Sequence, residues 1–254
     1  MKRLALIGIG SGNPEQVTVE AINALNRTDV FFVLDKGREK RELTALRVAI
    51  CERYIERPGY RLIYVEDPPR DSHADDYPGS VQAWRQQRAQ LLARLVDRDV
   101  QDGESGAFLV WGDPSLYDAT LRVVERMREM GLGFEYQIIP GISSVQALAA
   151  RHRVGLNRIG EPVHITTGRR LAAMPVQAID NLVVMLDGHC AFAALDDAGL
   201  EIFWGAYLGT PDELLIAGPL LQVRERILAV RAEARQRKGW IMDTYLLRRL
   251  AGQQ

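Results

Sequence analysis

Several stretches of the chain place glycine and proline directly after an apolar run, where main-chain groups are left free to meet a ligand. The first is Gly8-Ile9-Gly10-Ser11-Gly12-Asn13-Pro14-Glu15. A glycine loop between a strand and a helix brings backbone N–H groups against an anion or a ring nitrogen. A dinucleotide fingerprint wants its third glycine at position 13, which is Asn here, and Pro14 stiffens the turn. Asp35 still ends the second apolar run at the distance of a ribose-binding acid, which keeps a nicotinamide-dependent oxidoreductase in view as an alternative. The other stretches are Trp111-Gly112-Asp113-Pro114-Ser115-Leu116-Tyr117, Ile139-Pro140-Gly141-Ile142-Ser143-Ser144, and Pro211-Asp212-Glu213 followed by Gly218-Pro219-Leu220. Ser143 or Ser144 can cap the helix that follows, whose start then offers donors to a carboxylate or an adenine nitrogen.

Side chains suited to chemistry are few. Asp113 is either a turn former bonding its own backbone or a group beside a ligand. Asp35 and His189 are the candidate catalytic residues: one ends a strand where open α/β sheets gather ligands, and the other follows Leu186-Asp187-Gly188 in a loop at a strand end. His164 alternates within PVHIT as a half-buried strand residue. Arg38, Lys40 and Arg41 are interleaved with Glu39 and Glu42, which reads as a solvated helix face and not as a nucleic-acid patch.

In this order the motifs resemble those of the tetrapyrrole (class III) methyltransferases, whose members carry a GxGxGxxxxLT-like start, a GDP-S-x-Y-like turn and a V-P-G-I-S-S-like junction. The likeness runs from Gly8 to Leu220. It departs at Ser11-Gly12-Asn13, where the family has Pro-Gly-Asp, and at Val17, where it has Leu before Thr18. The resemblance implies two α/β domains with S-adenosylmethionine in the cleft between them, held mostly by backbone atoms, in a homodimer. Carried over motif by motif, the cofactor contacts fall on Gly10, Ser11, Gly12, Trp111, Gly112, Asp113, Ser143, Ser144, Leu186, Leu208 and Gly218. Within the family, VFFVLDKG at 30–37, DYPGSVQAWR at 76–85 and WGAYLGTPDELLIAGPL at 204–220 look like the member that methylates C1 of precorrin-5 and releases the ring's acetyl group as acetate. Methylation of a different ring carbon, and a non-catalytic tetrapyrrole sensor, are the remaining alternatives. Such a substrate is a polyacid, and guanidinium forks pair with carboxylates as lysine cannot, so Arg85 and Arg88 are the candidate substrate-binding residues.

Positioning these loops requires a parallel sheet covered by helices. Strand-like runs LALIGI at 4–9, VFFVL at 30–34, LIYVE at 62–66 and AFLVW at 107–111 alternate with helical spacings of Val17, Ala21 and Leu25, of Leu43, Leu46, Ile50 and Tyr54, and of Trp84, Arg88, Leu91 and Leu95. The fold class is α/β. Residues 66–80, rich in Pro, Asp and Gly, read as an excursion from the sheet. The domain join is expected at Gly112-Asp113-Pro114-Ser115, giving an N-terminal domain over 1–115 and a C-terminal one over 116–254. In the latter, FEYQIIP, PVHIT, LVVML, EIFWGAY and WIMDTYLL read as strands of a mixed sheet, with helices after PGISS and over 221–237.

Composition narrows the class further. The 254 residues carry a net charge of -1, from 32 basic and 33 acidic side chains, so no global field draws DNA or an anionic membrane. Two cysteines, Cys51 and Cys190, do not make a disulfide framework or a zinc knuckle, and no metal site is expected. The apolar start is broken at once by SGNPE, and no run approaches the roughly 20 apolar residues that cross a bilayer. A soluble, cytoplasmic protein is the expectation.

Overall fold

The computed structural model describes residues 1–35, 41–68 and 77–250. The expected solvated cluster at Arg38 and Lys40, and most of the Pro- and Asp-rich excursion, fall outside these residues. The chain divides into two compact units, one of Met1–Gly10 with Pro14–Ile142, the other of Ser11–Asn13 with Ser143–Gln254.

The first unit is built on a five-stranded parallel sheet in the order β3-β2-β4-β1-β5. Its strands are β1 (Lys2–Gly8), β2 (Val30–Asp35), β3 (Arg61–Glu66), β4 (Ser105–Val110) and β5 (Phe134–Ile139). Helices α1 (Val19–Leu25), α2 (Arg41–Tyr54), α3 (Tyr77–Asp99) and α4 (Thr120–Glu129) cover it. Alternate residues of each strand feed opposite faces, as the two-residue period of a strand requires. Leu4, Leu6, Val30, Phe32 and Phe108 pack with Leu92 and Val96 of α3 and with Val123, Val124 and Met127 of α4. Ala5, Ile7, Phe31, Ala107 and Leu109 pack with Ala21 and Leu25 of α1 and with Ile50 and Cys51 of α2. Burial on both faces explains why β1 reads as an unbroken apolar run.

The second unit holds a mixed sheet in the order β6-β7-β10-β8-β9, with β6 parallel to β7 and the other pairs antiparallel. Here the strands are β6 (His164–Thr167), β7 (Leu182–Met185), β8 (Leu200–Ala206), β9 (Leu214–Pro219) and β10 (Asp243–Arg249). The helices are α5 (Ser144–His152), α6 (Gly168–Leu171) and α7 (Leu220–Lys238). Gly239, at φ 77°, closes α7 in the left-handed conformation that glycine adopts freely.

Three expectations change. The chain parts after Ile142 and not at 115, because FEYQII forms β5 and adds to the edge of the first sheet through β1, with Lys2 opposite Phe134 and Ile7 opposite Ile139. Residues Leu214–Pro219, not among the strands expected from sequence, form edge strand β9 against β8. His164 is exposed on edge strand β6, not half-buried.

Candidate active site

In the first unit the C-terminal ends of β1, β4 and β5 meet through glycine. A Cβ on Gly8 would lie 2.6 Å from the Gly141 nitrogen and 2.9 Å from the Gly112 oxygen, and one on Gly141 would fall on that same oxygen. Only residues without a side chain let these main chains approach so closely. The Gly112 N–H donates to the Gly10 carbonyl at 2.8 Å, and Gly112 sits at φ 73°. Asp113 ties the loops together. Its Oδ2 accepts from the Gly141 N–H at 2.9 Å, while Oδ1 accepts from the Ser115 N–H at 2.8 Å and from the Ser115 hydroxyl. Partial burial alone would raise its pKa, but the hydrogen bonds from Ser115 and Gly141 outweigh it and hold the carboxyl below the usual range. Of the two roles read from sequence, these bonds show the turn former, and the same side chain also ties two strand ends together.

The second unit presents its own main-chain turns. Ser143 caps α5 as expected, accepting from the Val145 N–H at 3.2 Å, and Gln146 accepts from the Ser143 N–H at 3.0 Å to complete a capping box. The Ser144 hydroxyl is 3.0 Å from that of Thr244 on β10. Gly12 is at φ 150°, and a Cβ there would lie 2.8 Å from the Leu208 carbonyl oxygen. The Leu208 side chain is buried. The adjoining turn is strapped by the Thr210 N–H and hydroxyl, which both donate to the Tyr207 carbonyl, and by Glu213, which accepts from the Gly209 N–H at 2.7 Å. Gly218, at φ 148°, lies near the end of β9. Leu186, just past β7, is an apolar side chain 64% exposed on a left-handed backbone at φ 53°. A bulky residue held there is a strained arrangement of the kind that gathers at ligand sites.

Asp187, which the sequence showed only as a neighbour of Leu186, organises this last turn. Its Oδ1 accepts from the His189 N–H at 3.2 Å, and its Oδ2 accepts from the Ala191 N–H at 2.7 Å and the Tyr245 hydroxyl at 2.6 Å. His189 itself is exposed. Behind the turn, buried Arg231 donates Nη2 to the Asp187 carbonyl at 2.9 Å and Nε to Asp243 at 2.7 Å, and Asp243 also accepts from the Trp204 indole at 3.0 Å. Asp35 ends β2 opposite Glu66, while its side chain lies outside the described residues.

The two candidate substrate arginines separate. Arg85 is exposed, whereas Arg88 is buried, lies over the Trp84 ring, and has its Nε 3.1 Å from Asp67, close enough to pair but angled away from a hydrogen bond. The expectation for Arg88 is therefore corrected: its charge is met inside the unit, on the inward side of α3. Arg88→Ala is expected to cost about 1–3 kcal/mol by leaving Asp67 uncompensated, while Arg85→Ala changes stability by less than about 0.5 kcal/mol. Urea denaturation of the two variants checks this, and equal stabilities would contradict it.

Comparison with known proteins gives this loop set a family. Residues 3–223 match the model for tetrapyrrole (corrin/porphyrin) methylases. The chain belongs to the tetrapyrrole methylase family. It is 50% identical to a precorrin-6A synthase [deacetylating] from a Sinorhizobium species, over 98% of this chain and 96% of that one. A solved structure described as a putative cobalamin synthesis related protein (CobF) from Corynebacterium diphtheriae is 40% identical and superposes with a TM-score of 0.86, covering 98% of this chain and 99% of the other. The cobalt precorrin-4 methyltransferase CbiF, 17% identical with a TM-score of 0.66, shares the fold. This methylase is built of two α/β units, each on a five-stranded sheet.

Proposed function

We infer that the chain is an S-adenosylmethionine-dependent methyltransferase that methylates C1 of precorrin-5 with loss of the acetyl group as acetate, giving precorrin-6A in aerobic cobalamin biosynthesis. The observation that carries this reading is the 50% identity to a precorrin-6A synthase [deacetylating], which reaches across both units.

The residues present suit the methyl donor. Close-packed glycines at 8, 112 and 141 and the turn at Gly12 bring main chains together where side chains would otherwise intrude, and Leu186 holds a left-handed backbone. Gly10, Ser11, Gly12, Trp111, Gly112, Asp113, Ser143, Ser144, Leu186, Leu208 and Gly218 are the proposed contacts. The hydroxyl of Ser143 is engaged within its own turn and the carboxylate of Asp113 joins its loop to Gly141, so their part is to fix backbone groups. When bound, S-adenosylmethionine supplies a methyl group already made electrophilic by its sulfonium. The protein then needs no strong nucleophile, and orientation of the reactants can lower the barrier by about 7–11 kcal/mol.

Loss of the acetyl group asks for more, since water must reach an acyl carbon and a proton must be moved. Asp35 and His189 are proposed for that proton, and Arg85 for a substrate carboxylate. Among the described residues no group of three or more His, Cys, Asp or Glu could hold a metal, and no helix is long and apolar enough to cross a membrane. Cytoplasmic location and a homodimeric state complete the proposal, supported by the free thiols of Cys51 and Cys190 and by the family resemblance. Ligand-induced thermal shifts separate this reading from an oxidoreductase: a ligand at 100 times its Kd stabilises by about 2.7 kcal/mol. A shift is expected with S-adenosylhomocysteine and none with NAD or NADP. The reverse pattern would refute the methyltransferase.

A further inference from the structure

The first sheet opens at one place. β2 and β4 pair from Val30 opposite Gly106 to Phe32 opposite Phe108, and there their pairing ends. β2 runs on with β3 as far as Asp35 opposite Glu66, and β4 runs on with β1 as far as Val110 opposite Gly8. The connections leave these two strands in opposite directions, β2 toward β3 at one edge and β4 toward β5 at the other. They also cross opposite faces, by α2 and by α4. The gap is thus the topological switch point of the sheet, the position outside the carboxyl ends of the strands where open α/β sheets take ligands.

A cation stands in that gap. The Val110 carbonyl faces β1, where it accepts from the Ile9 N–H at 2.9 Å, so alternation turns the Leu109 carbonyl toward the departed β2. Arg47 of α2 donates Nε to it at 3.0 Å and Nη1 to the Leu43 carbonyl, one turn back in its own helix, at 2.8 Å. Arg47 is 8% exposed. Among the described residues no carboxylate lies within 4.0 Å of its guanidinium, and Nη2 has no acceptor. Burial pushes its pKa down to about 10, with Asp118 opposing that shift and Arg88 adding to it. Two carbonyl oxygens are poor compensation for a desolvated charge, which is stable in such surroundings when an anion and hydrogen bonds meet it together. A carboxylate is the anion whose paired oxygens match a guanidinium edge.

We propose that Arg47 binds one peripheral carboxylate of the tetrapyrrole at the gap between the C-terminal ends of β2 and β4. The proposal rests on the methyltransferase reading above. S-adenosylmethionine also carries a carboxylate, but one balanced by its own ammonium, whereas the macrocycle presents an uncompensated polyacid.

Arg47→Met keeps the bulk of the side chain and removes the charge; Arg47→Lys keeps the charge and loses the fork. With precorrin-5 under anaerobic conditions, Arg47→Met is expected to raise KM at least tenfold while the Kd for S-adenosylhomocysteine stays within twofold. Arg47→Lys should recover part of the loss. An unchanged KM in a folded Arg47→Met variant, or an equal loss of affinity for S-adenosylhomocysteine, would assign Arg47 to strand support or to the cofactor and overturn the proposal. Should the methionine variant not fold, the Nε–Hε resonance of Arg47 in the wild-type protein decides. It should move on saturation with precorrin-5 and stay in place with S-adenosylhomocysteine, and the absence of that movement is equally fatal. Wild-type protein that neither binds nor turns over precorrin-5 would instead refute the functional reading itself.

Discussion

Replacing Asp243 by Ala should lower stability by about 3–5 kcal/mol, because it strands a buried guanidinium. Asp243 accepts from Arg231 Nε at 2.7 Å and from the Trp204 indole at 3.0 Å, and the side chains of both Asp243 and Arg231 are more than nine-tenths buried. Burial by itself would lower the pKa of Arg231, yet the hydrogen bond and charge of Asp243 overcome that and leave it raised. For a chain of this size each kcal/mol moves the melting temperature by roughly 2–4 °C, so a fall of roughly 6–20 °C is expected by calorimetry. The pair also reaches the turn after β7, through the Arg231 bond to the Asp187 carbonyl. Replacing both partners, as Asp243→Leu with Arg231→Met, should be milder than Asp243→Ala alone, since no uncompensated charge remains. A double variant as unstable as the single one would show that packing, not charge, dominates there.

Gly112→Val should abolish binding of S-adenosylhomocysteine, a loss of at least about a hundredfold, or about 2.7 kcal/mol. Two effects combine. A β-branched residue is a genuine outlier at positive φ, and Gly112 is at φ 73°. The peptide of Gly112 also carries the N–H bond to Gly10 and the oxygen against which Gly8 and Gly141 pack, so a displaced backbone disturbs three loops together. Gly133→Ala is the control, since a Cβ there meets nothing within 4 Å. It should leave affinity unchanged. Normal binding by a folded Gly112→Val protein would mean that the proposed cofactor contacts are misplaced.

The sequence made the first sheet legible because β1, β2 and β4 are buried on both faces and stand out as apolar runs between helical patterns. It did not show which sheet a strand joins. FEYQII was recognisable as a strand, but its place beside β1 depends on a pairing across more than 130 residues, to which local periodicity is blind. β9 was hidden by its own ending: Gly218-Pro219 signals a turn, and an edge strand tolerates proline where a central one does not. The main-chain loops were readable as glycine-bearing strand ends, and their assignment to S-adenosylmethionine came from resemblance.

Charged residues buried by distant contacts were the least visible. Arg231, Asp243 and Asp187 meet across a helix, a strand and a turn, and nothing in their local spacing joins them. Arg88 sat on the apolar stripe with Trp84, Leu91 and Leu95, and that placement was the signal of its burial against Asp67. Arg47, four residues after Leu43 and three before Ile50, lies on the buried face of α2 and carried the same signal. A basic residue on the inner stripe of an amphipathic helix needs a partner, whether inside the protein or on its ligand.

Mass analysis of the product formed from precorrin-5 and S-adenosylmethionine tests the central claim most directly. The predicted product has gained one methyl group and lost the acetyl group, with acetate and S-adenosylhomocysteine released in equal amounts. A methylated product that retains its acetyl group would leave membership of the methylase family intact and contradict the proposed reaction.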